Sequence, residues 1–304
     1  MIDSVKLGSV RKIGANHNHL KVQLEDGENH KLDGVGFGLG HYMDEIAPHA
    51  KVSVIGELSI NEWNNMKKPQ IFVQDIEVDH WQLFDYRGKG QAEKWLADIP
   101  AHNRKIVIFS EDTLKSYPFL QQHPDLVFIE NEQDALILEC HDGHVVFMDM
   151  PPLRNLLKQV VENKNPARIY AHFSHVQDHF LSTLPTRDHF KWFYAFLAKK
   201  GPLDVKRYGD DLAKYRGWSR DTVDFISKVF FELDFVTIDN GLIMLTTNPK
   251  KRDFSESVSF IRKKEQFELE QELVYSSYQQ LFDWFNHILI HEAIDLEEET
   301  KQWI

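Results

Sequence analysis

Cysteine is nearly absent. Cys140 stands alone among 304 residues, so no disulfide can close within the chain and a reducing, cytoplasmic setting is expected. Long apolar runs are missing too. No stretch approaches the roughly 20 residues needed to span a bilayer, and the opening MIDSVKLGSVRK lacks the apolar centre of a secretory signal. Positive charge is scarce. Thirty-five Lys and Arg face 47 Asp and Glu, a formal −12 that argues against a broad nucleic-acid footprint. Nothing repeats at a fixed period and no segment is low in complexity, which sets solenoids and disordered linkers aside.

Aromatic residues are plentiful, at 12%, and the 42% hydrophobic content is that of a globular protein. The length suits two or three domains, each with its own core. Charge is unevenly spread. Residues 263–304 hold ten acidic and three basic residues, whereas residues 1–79 hold twelve and eight. Salt screens exposed charges beyond about 10 Å, so an acidic tail is compatible with a basic groove elsewhere. Any nucleic-acid footprint must then be a narrow patch.

The expected fold class is multidomain α+β. Residues 4–13, 19–25 and 30–37 read as strands, 41–47 as a short helix, and 51–59 and 70–78 as two further strands. Three strands, a helix and two strands is the order of an OB-fold β-barrel, here over 1–79. Over 80–185, apolar runs at 81–85, 105–109, 126–129, 135–139, 144–148 and 168–173 alternate with helical stretches at 90–98, 111–121 and 152–163. That alternation predicts a central α/β layer with a largely parallel sheet. After Pro185 come helices at 187–200, 203–215 and 220–234, the last N-capped by Ser219. Strands at 235–238 and 242–247 follow, joined by the type I′ signal Asp239-Asn240-Gly241. This is the outline of a winged-helix-like segment, 186–252. Residues 253–304 read as C-terminal helices and an acidic tail, with Leu273, Val274, Tyr278, Leu281, Phe285, Ile288 and Leu289 on one face.

The richest stretch is 53–87, two strands around the polar loop 60–69. In OB-folds this loop helps frame the ligand groove. Trp63 offers a stacking ring, Lys67 and Lys68 offer phosphate partners, and Asn64 offers an amide for backbone or base edges. His17, His19, Lys21 and Lys31 fall on the same side. The residues alone leave a second reading open, with Trp63 a lid on the barrel and the lysines solubilising a hairpin. In the winged-helix-like segment the last of the three helices, 220–234, carries Asp221, Asp224, Glu232 and Asp234 against Arg220 and Lys228, a poor match to phosphates. Lys250, Lys251 and Arg252 are the best basic cluster there, and a protein-docking role is favoured.

Three other motifs are weaker. Cys140-His141-Asp142-Gly143-His144 lacks a second ligand pair at zinc spacing and reads as a turn between strands 135–139 and 144–148. Gly88-Lys89-Gly90 is no Walker A, because no glycine precedes Gly88 at the required spacing and no Ser or Thr follows the lysine. Asp149-Met150-Pro151-Pro152 ends a strand where open α/β sheets bind ligands, but a helix begun by proline accounts for it.

Residues 18–78 resemble the OB domain of the RecJ family of single-stranded-DNA-specific exonucleases. The resemblance rests on His19-Leu20-Lys21, on Gly34-Val35-Gly36-Phe37-Gly38, and above all on the run from Gly56 to Asn64 (GELSINEWN). Lys68-Pro69-Gln70 and Gln74-Asp75-Ile76 complete it, and Trp81–Arg87 resembles the junction into the family's C-terminal extension in low-GC Gram-positive bacteria. The resemblance implies 5′→3′ exonuclease action on single-stranded DNA in recombination and repair. It also implies catalytic DHH and DHHA1 domains that use Mn2+ or Mg2+ and lie before the OB-fold, and contact with the single-stranded-DNA-binding protein. No Asp-His-His string occurs here, so neither catalytic nor metal-binding residues carry over and the chain by itself is expected to be inactive. The candidate DNA-contacting set is His19, Lys21, Lys31, Phe37, Trp63, Asn64, Lys67 and Lys68, and the candidate docking set is Lys250, Lys251 and Arg252. An adaptor region with little DNA affinity is the alternative, and an enzyme centred on Cys140 or the α/β cleft a third. The run Asp295–Glu299 before Trp303-Ile304 suggests a tail that competes for the docking pocket, or simply a solvated end.

Overall fold

The computed structural model describes the backbone of all residues except 64–65, 163, 175–183 and 302–304, and side chains in those limits except at 63 and 291–301. The N-terminal strands are β1 (Ile2–Ile13), β2 (His19–Glu25), β3 (Lys31–Gly36), β4 (Lys51–Trp63) and β5 (Met66–Glu77), with helix α1 (Tyr42–Glu45) between β3 and β4. They close on themselves in the order β1-β2-β3-β5-β4. Period-two patterning drives closure. Leu20, Val22 and Leu24 of β2 and Ile71 and Val73 of β5 point into one core with Val52 and Val54, while the alternate residues face out. Gly56 sits at a register shift where a Cβ would lie 2.3 Å from the Phe72 carbonyl oxygen, so β4 can bend there only with glycine.

The sequence placed a loop over 60–69. The structure instead carries the strands on to Trp63 and from Met66, with Asn61 paired to Lys68 and Glu62 to Lys67. Beyond the barrel wall these residues pair only with each other among the described residues, as a two-stranded ribbon. Polar residues such as Asn61 and Lys68 obscured the strands because neither ribbon face is covered.

The second unit is a five-stranded parallel sheet of β6 (Gln82–Asp85), β7 (Arg104–Ile108), β8 (Leu126–Phe128), β9 (His144–Asp149) and β10 (Arg168–Ser174), in the order β6-β10-β9-β7-β8. Both faces are buried, which is why its strands read as continuous apolar runs. Ile106, Ile108, Val146 and Met148 face the barrel side with Trp95 and Leu96 of α2 (Ala92–Asp98), and α3 (Asp112–Ser116) follows β7. Val107, Val145, Phe147 and Ile169 face α4 (Glu132–Ile137), α5 (Arg154–Val161), α9 (Val258–Leu273) and α10 (Tyr278–Lys301). Of the run 135–139, read as a strand, residues 135–137 are the end of helix α4 and 138–139 lie beyond it. The Asn131 side chain accepts from the N–H groups of Gln133 and Asp134, and the Asp134 carboxylate accepts from Asn131 N–H, a capping box that outweighs the β-propensity of the run. A crossover helix is also what parallel strands β8 and β9 require. Pro151 and Pro152 precede α5 rather than open it, since Leu153 is its N-cap.

The third core lies among α6 (Arg187–Lys200), α7 (Val205–Arg216), α8 (Arg220–Glu232) and the sheet β11 (Leu203–Asp204), β13 (Leu242–Leu245), β12 (Val236–Asp239). Asn240 and Gly241 both have positive φ, 52° and 91°, as a type I′ turn demands. The two-residue β11 escaped sequence reading because it is too short to show a period.

The units are fastened by specific bonds. Gln82 Oε1 accepts from Ala47 N–H at 2.8 Å, tying barrel to sheet. Arg87 is held by Asp85 at 2.8 Å and donates to the carbonyls of Leu273, Val274 and Ser276 at 3.0–3.3 Å, capping the negative end of α9. At the other end of α9, Glu232 of α8 accepts from Ser257 Oγ at 2.6 Å and Ser259 N–H at 2.9 Å. A carboxylate at its N-terminus and a guanidinium at its C-terminus make α9 the strut between the second and third cores.

Candidate nucleic-acid interface

Register decides which of the sequence-predicted residues share a surface. Arg11 pairs with Lys21, Lys21 with Val35, and Val35 with Phe72. Across the ribbon Phe72 pairs with Glu57, Gln70 with Ser59, Lys68 with Asn61 and Met66 with Trp63. Opposed residues fall on one side of a sheet and alternate residues on the other. His19, Lys21, Lys31, Phe37, Lys68 and register position 63 therefore belong to the outer face. Lys67 has the opposite parity and is paired with Glu62 at 3.4 Å, so it leaves the proposed set. Lys31 is on the face but neutralised by Glu25 at 2.7 Å. Asn64 and the Trp63 side chain lie outside the described residues.

Two residues that sequence reading missed complete the face. Phe72 stacks on Phe37 with centroids 6.0 Å apart and planes inclined by 26°. Its signal was available: a phenylalanine between buried Ile71 and Val73 must point outward. Arg11 is the other, exposed and opposite Lys21. Phe37 is 64% exposed and receives the edge of the His19 ring at 5.3 Å. Gly38 N–H donates to His19 Nδ1 at 3.0 Å, which puts the neutral ring's proton on Nε2. Among the described residues Arg11, Lys21 and Lys68 carry no ion pair, while Glu25, Asp33 and Glu57 share the face. The surface is a row of rings with sparse cations.

The remaining candidates do not converge. Cys140 is buried and its thiol is pushed up to about 11 by burial. His144 is pushed down to about 4 by burial and contacts Tyr170 Oη at 3.3 Å. His141 is exposed and paired with Asp142 at 3.2 Å. Among the described residues no group of three or more His, Cys, Asp or Glu is placed to hold a metal ion. Asp149 lies at the carboxyl ends of β9 and β7, where the connections leave in opposite directions and open sheets receive ligands. Its carboxylate is spent internally, accepting from Phe109 N–H at 2.8 Å, Ser110 N–H at 3.0 Å and the Thr113 hydroxyl, and burial pushes it up to about 6. Arg252 is engaged by Asp234 at 2.8 Å, leaving Lys250 and Lys251 as the exposed cations of the docking set.

Comparison with known proteins settles the kinship. The family described as single-strand DNA-specific exonuclease, C terminal domain, matches residues 82–285, and the RecJ OB domain matches residues 1–75. The chain belongs to the RecJ family. The single-stranded-DNA-specific exonuclease RecJ of Bacillus subtilis (strain 168) is 42% identical over 302 residues, 99% of this chain but 38% of that protein. The chain thus spans well under half the length of this RecJ relative. Crystal structures of RecJ from Thermus thermophilus with Mg2+ and with Mn2+ align over 65% of this chain and 28% and 27% of theirs, at 15% identity and a TM-score of 0.18, too low to inform the fold.

Proposed function

We propose that this part of a RecJ polypeptide binds single-stranded DNA on the outer face of the barrel and holds it for a nuclease centre that these residues do not supply. The observation that supports the reading is the Phe37–Phe72 ring pair, most exposed at Phe37 and flanked by Lys21, Lys68 and Arg11. Every base has a π-face, so exposed rings with a few cations bind a single strand without reading its sequence. The strand's 5′→3′ degradation in recombination and repair, the Mn2+ or Mg2+ that would serve it, and a cytoplasmic setting belong to the same reading. So do the division of the chain at 79, 185 and 252 and the winged-helix-like character of the third unit. That unit would dock protein rather than DNA, with Lys250 and Lys251 meeting the acidic tail of the single-stranded-DNA-binding protein.

The test is fluorescence anisotropy with a labelled poly-dT oligonucleotide and a duplex competitor. Single-strand-selective binding is expected, and failure to bind at low salt would reject the assignment. The adaptor reading keeps one observation in its favour: Glu25, Asp33 and Glu57 dilute the positive charge of the face. A pull-down of the single-stranded-DNA-binding protein by a chain with no DNA affinity would favour it.

A further inference from the structure

The β4–β5 ribbon has two chemically different sides. The parity that carries Ser59, Asn61, Lys68 and Gln70 continues the outer face. The other parity continues the barrel's interior: Val54 is fully buried and Ile71 and Val73 nearly so, but Leu58 is 73% exposed and Ile60 69% exposed, with Pro69 beside them. An interior-type surface runs out past the barrel, and among the described residues nothing covers it. The edge is open as well. Strand β1 covers β4 only from Lys51 to Val54, and among the described residues the outer edge of β4 from Glu57 to Trp63 pairs with no strand. Open edges with exposed apolar side chains are sites of strand addition, and soluble proteins normally blunt them with charge or cover.

We propose that this edge and its apolar side are an internal docking surface, occupied by polypeptide from the part of a RecJ protein that has no counterpart in these 304 residues. Length supports that occupant, since the Bacillus subtilis relative has 62% of its chain outside the matched region. Geometry supports it too. Ile2 pairs with Val54, so the line of β1 continued past its first residue runs along the open edge of β4. The proposal rests on RecJ membership and not on the DNA-binding reading, because Leu58 and Ile60 have the parity opposite to Phe72 and Lys68.

The experiment compares amide hydrogen exchange in this chain alone and in Bacillus subtilis RecJ with its matched region replaced by this chain. Exchange over 57–63 should slow at least tenfold in the longer protein and revert when Leu58→Asp and Ile60→Asp are introduced together. Equal exchange in both proteins overturns the proposal. The same double variant in the 304-residue chain gives an independent reading. It should leave melting temperature and oligonucleotide affinity unchanged, because the face serves nothing within this chain. Unfolding, or a loss of affinity beyond threefold, would mean the face belongs to the chain's own core or to the DNA site. A wild-type dimer in sedimentation that the variant dissolves would assign the face to a second copy and also overturn the proposal.

Discussion

Replacing Phe37 by alanine separates stacking from charge. The ring is 64% exposed and touches chiefly His19 and Phe72, so its loss should cost the fold little. A base stacked on an aromatic side chain is worth about 1–3 kcal/mol, so the variant should bind an oligonucleotide roughly 5- to 150-fold more weakly. Salt dependence should not move. Each phosphate neutralised on a single strand contributes about −0.7 to the slope of log K against log salt. Around the ring pair, among the described residues, the face offers three cations without an ion pair, Arg11, Lys21 and Lys68, since Lys31 is held by Glu25 and Lys67 by Glu62. The wild-type slope should therefore be about −2. Phe37→Ala should shift the binding line down without tilting it, while Lys68→Ala should flatten it by about 0.7. The measurement is anisotropy of labelled dT oligomers across a sodium chloride series. Affinity within twofold of wild type in Phe37→Ala, or a wild-type slope steeper than about −4, would show that the strand binds on a different, more basic surface.

Other perturbations test the remaining arguments. Lys67→Ala should leave both affinity and slope unchanged in the same titration, because its partner is Glu62. Arg87→Met removes the donor shared by Asp85 and the last carbonyls of α9, and should cost roughly 3 kcal/mol in chemical denaturation. The Asp149 carboxyl has a folded-state pKa of about 6, above its ordinary value of 3.8. The folded state thus holds that proton more tightly, and the group's contribution to stability is fully present below pH 3.8 and lost as pH rises through about 6. The difference in unfolding free energy between wild type and Asp149→Asn should change across that window by about 3 kcal/mol, and a flat difference would refute the assignment. Cys140, buried with a thiol at about 11, should resist a thiol reagent at neutral pH until the protein is unfolded.

Much of the fold was legible because its signals are local. The alternation in His19–Glu25 places Leu20, Val22 and Leu24 inside wherever the strand sits. The turn Asp239-Asn240-Gly241 needs left-handed backbone that few other residues tolerate. The strand read at 135–139 was lost to a capping box whose second member, Asp134, lies just outside the apolar run. The ribbon reads as a loop in the sequence because a two-stranded element with neither side buried has no burial pattern to display. Of the candidate site, His19, Lys21, Phe37 and Lys68 were identified from the chain, whereas Phe72 needed the register to bring it beside Phe37.

Composition and pattern alone determined that this chain builds a small β unit, a parallel α/β sheet and a helical unit, and they pointed to RecJ through the run from Gly56 to Asn64. Only the tertiary structure decided which charges are available. Lys67, Lys31 and Arg252 are equivalent to Lys68 and Lys21 in sequence, but Glu62, Glu25 and Asp234 sit within ion-pair distance of the first three. A charge's availability depends on what lies within a few ångströms in space. For Glu25–Lys31 and Glu62–Lys67 that proximity is set by which residues pair across each hairpin, which composition and periodicity do not encode.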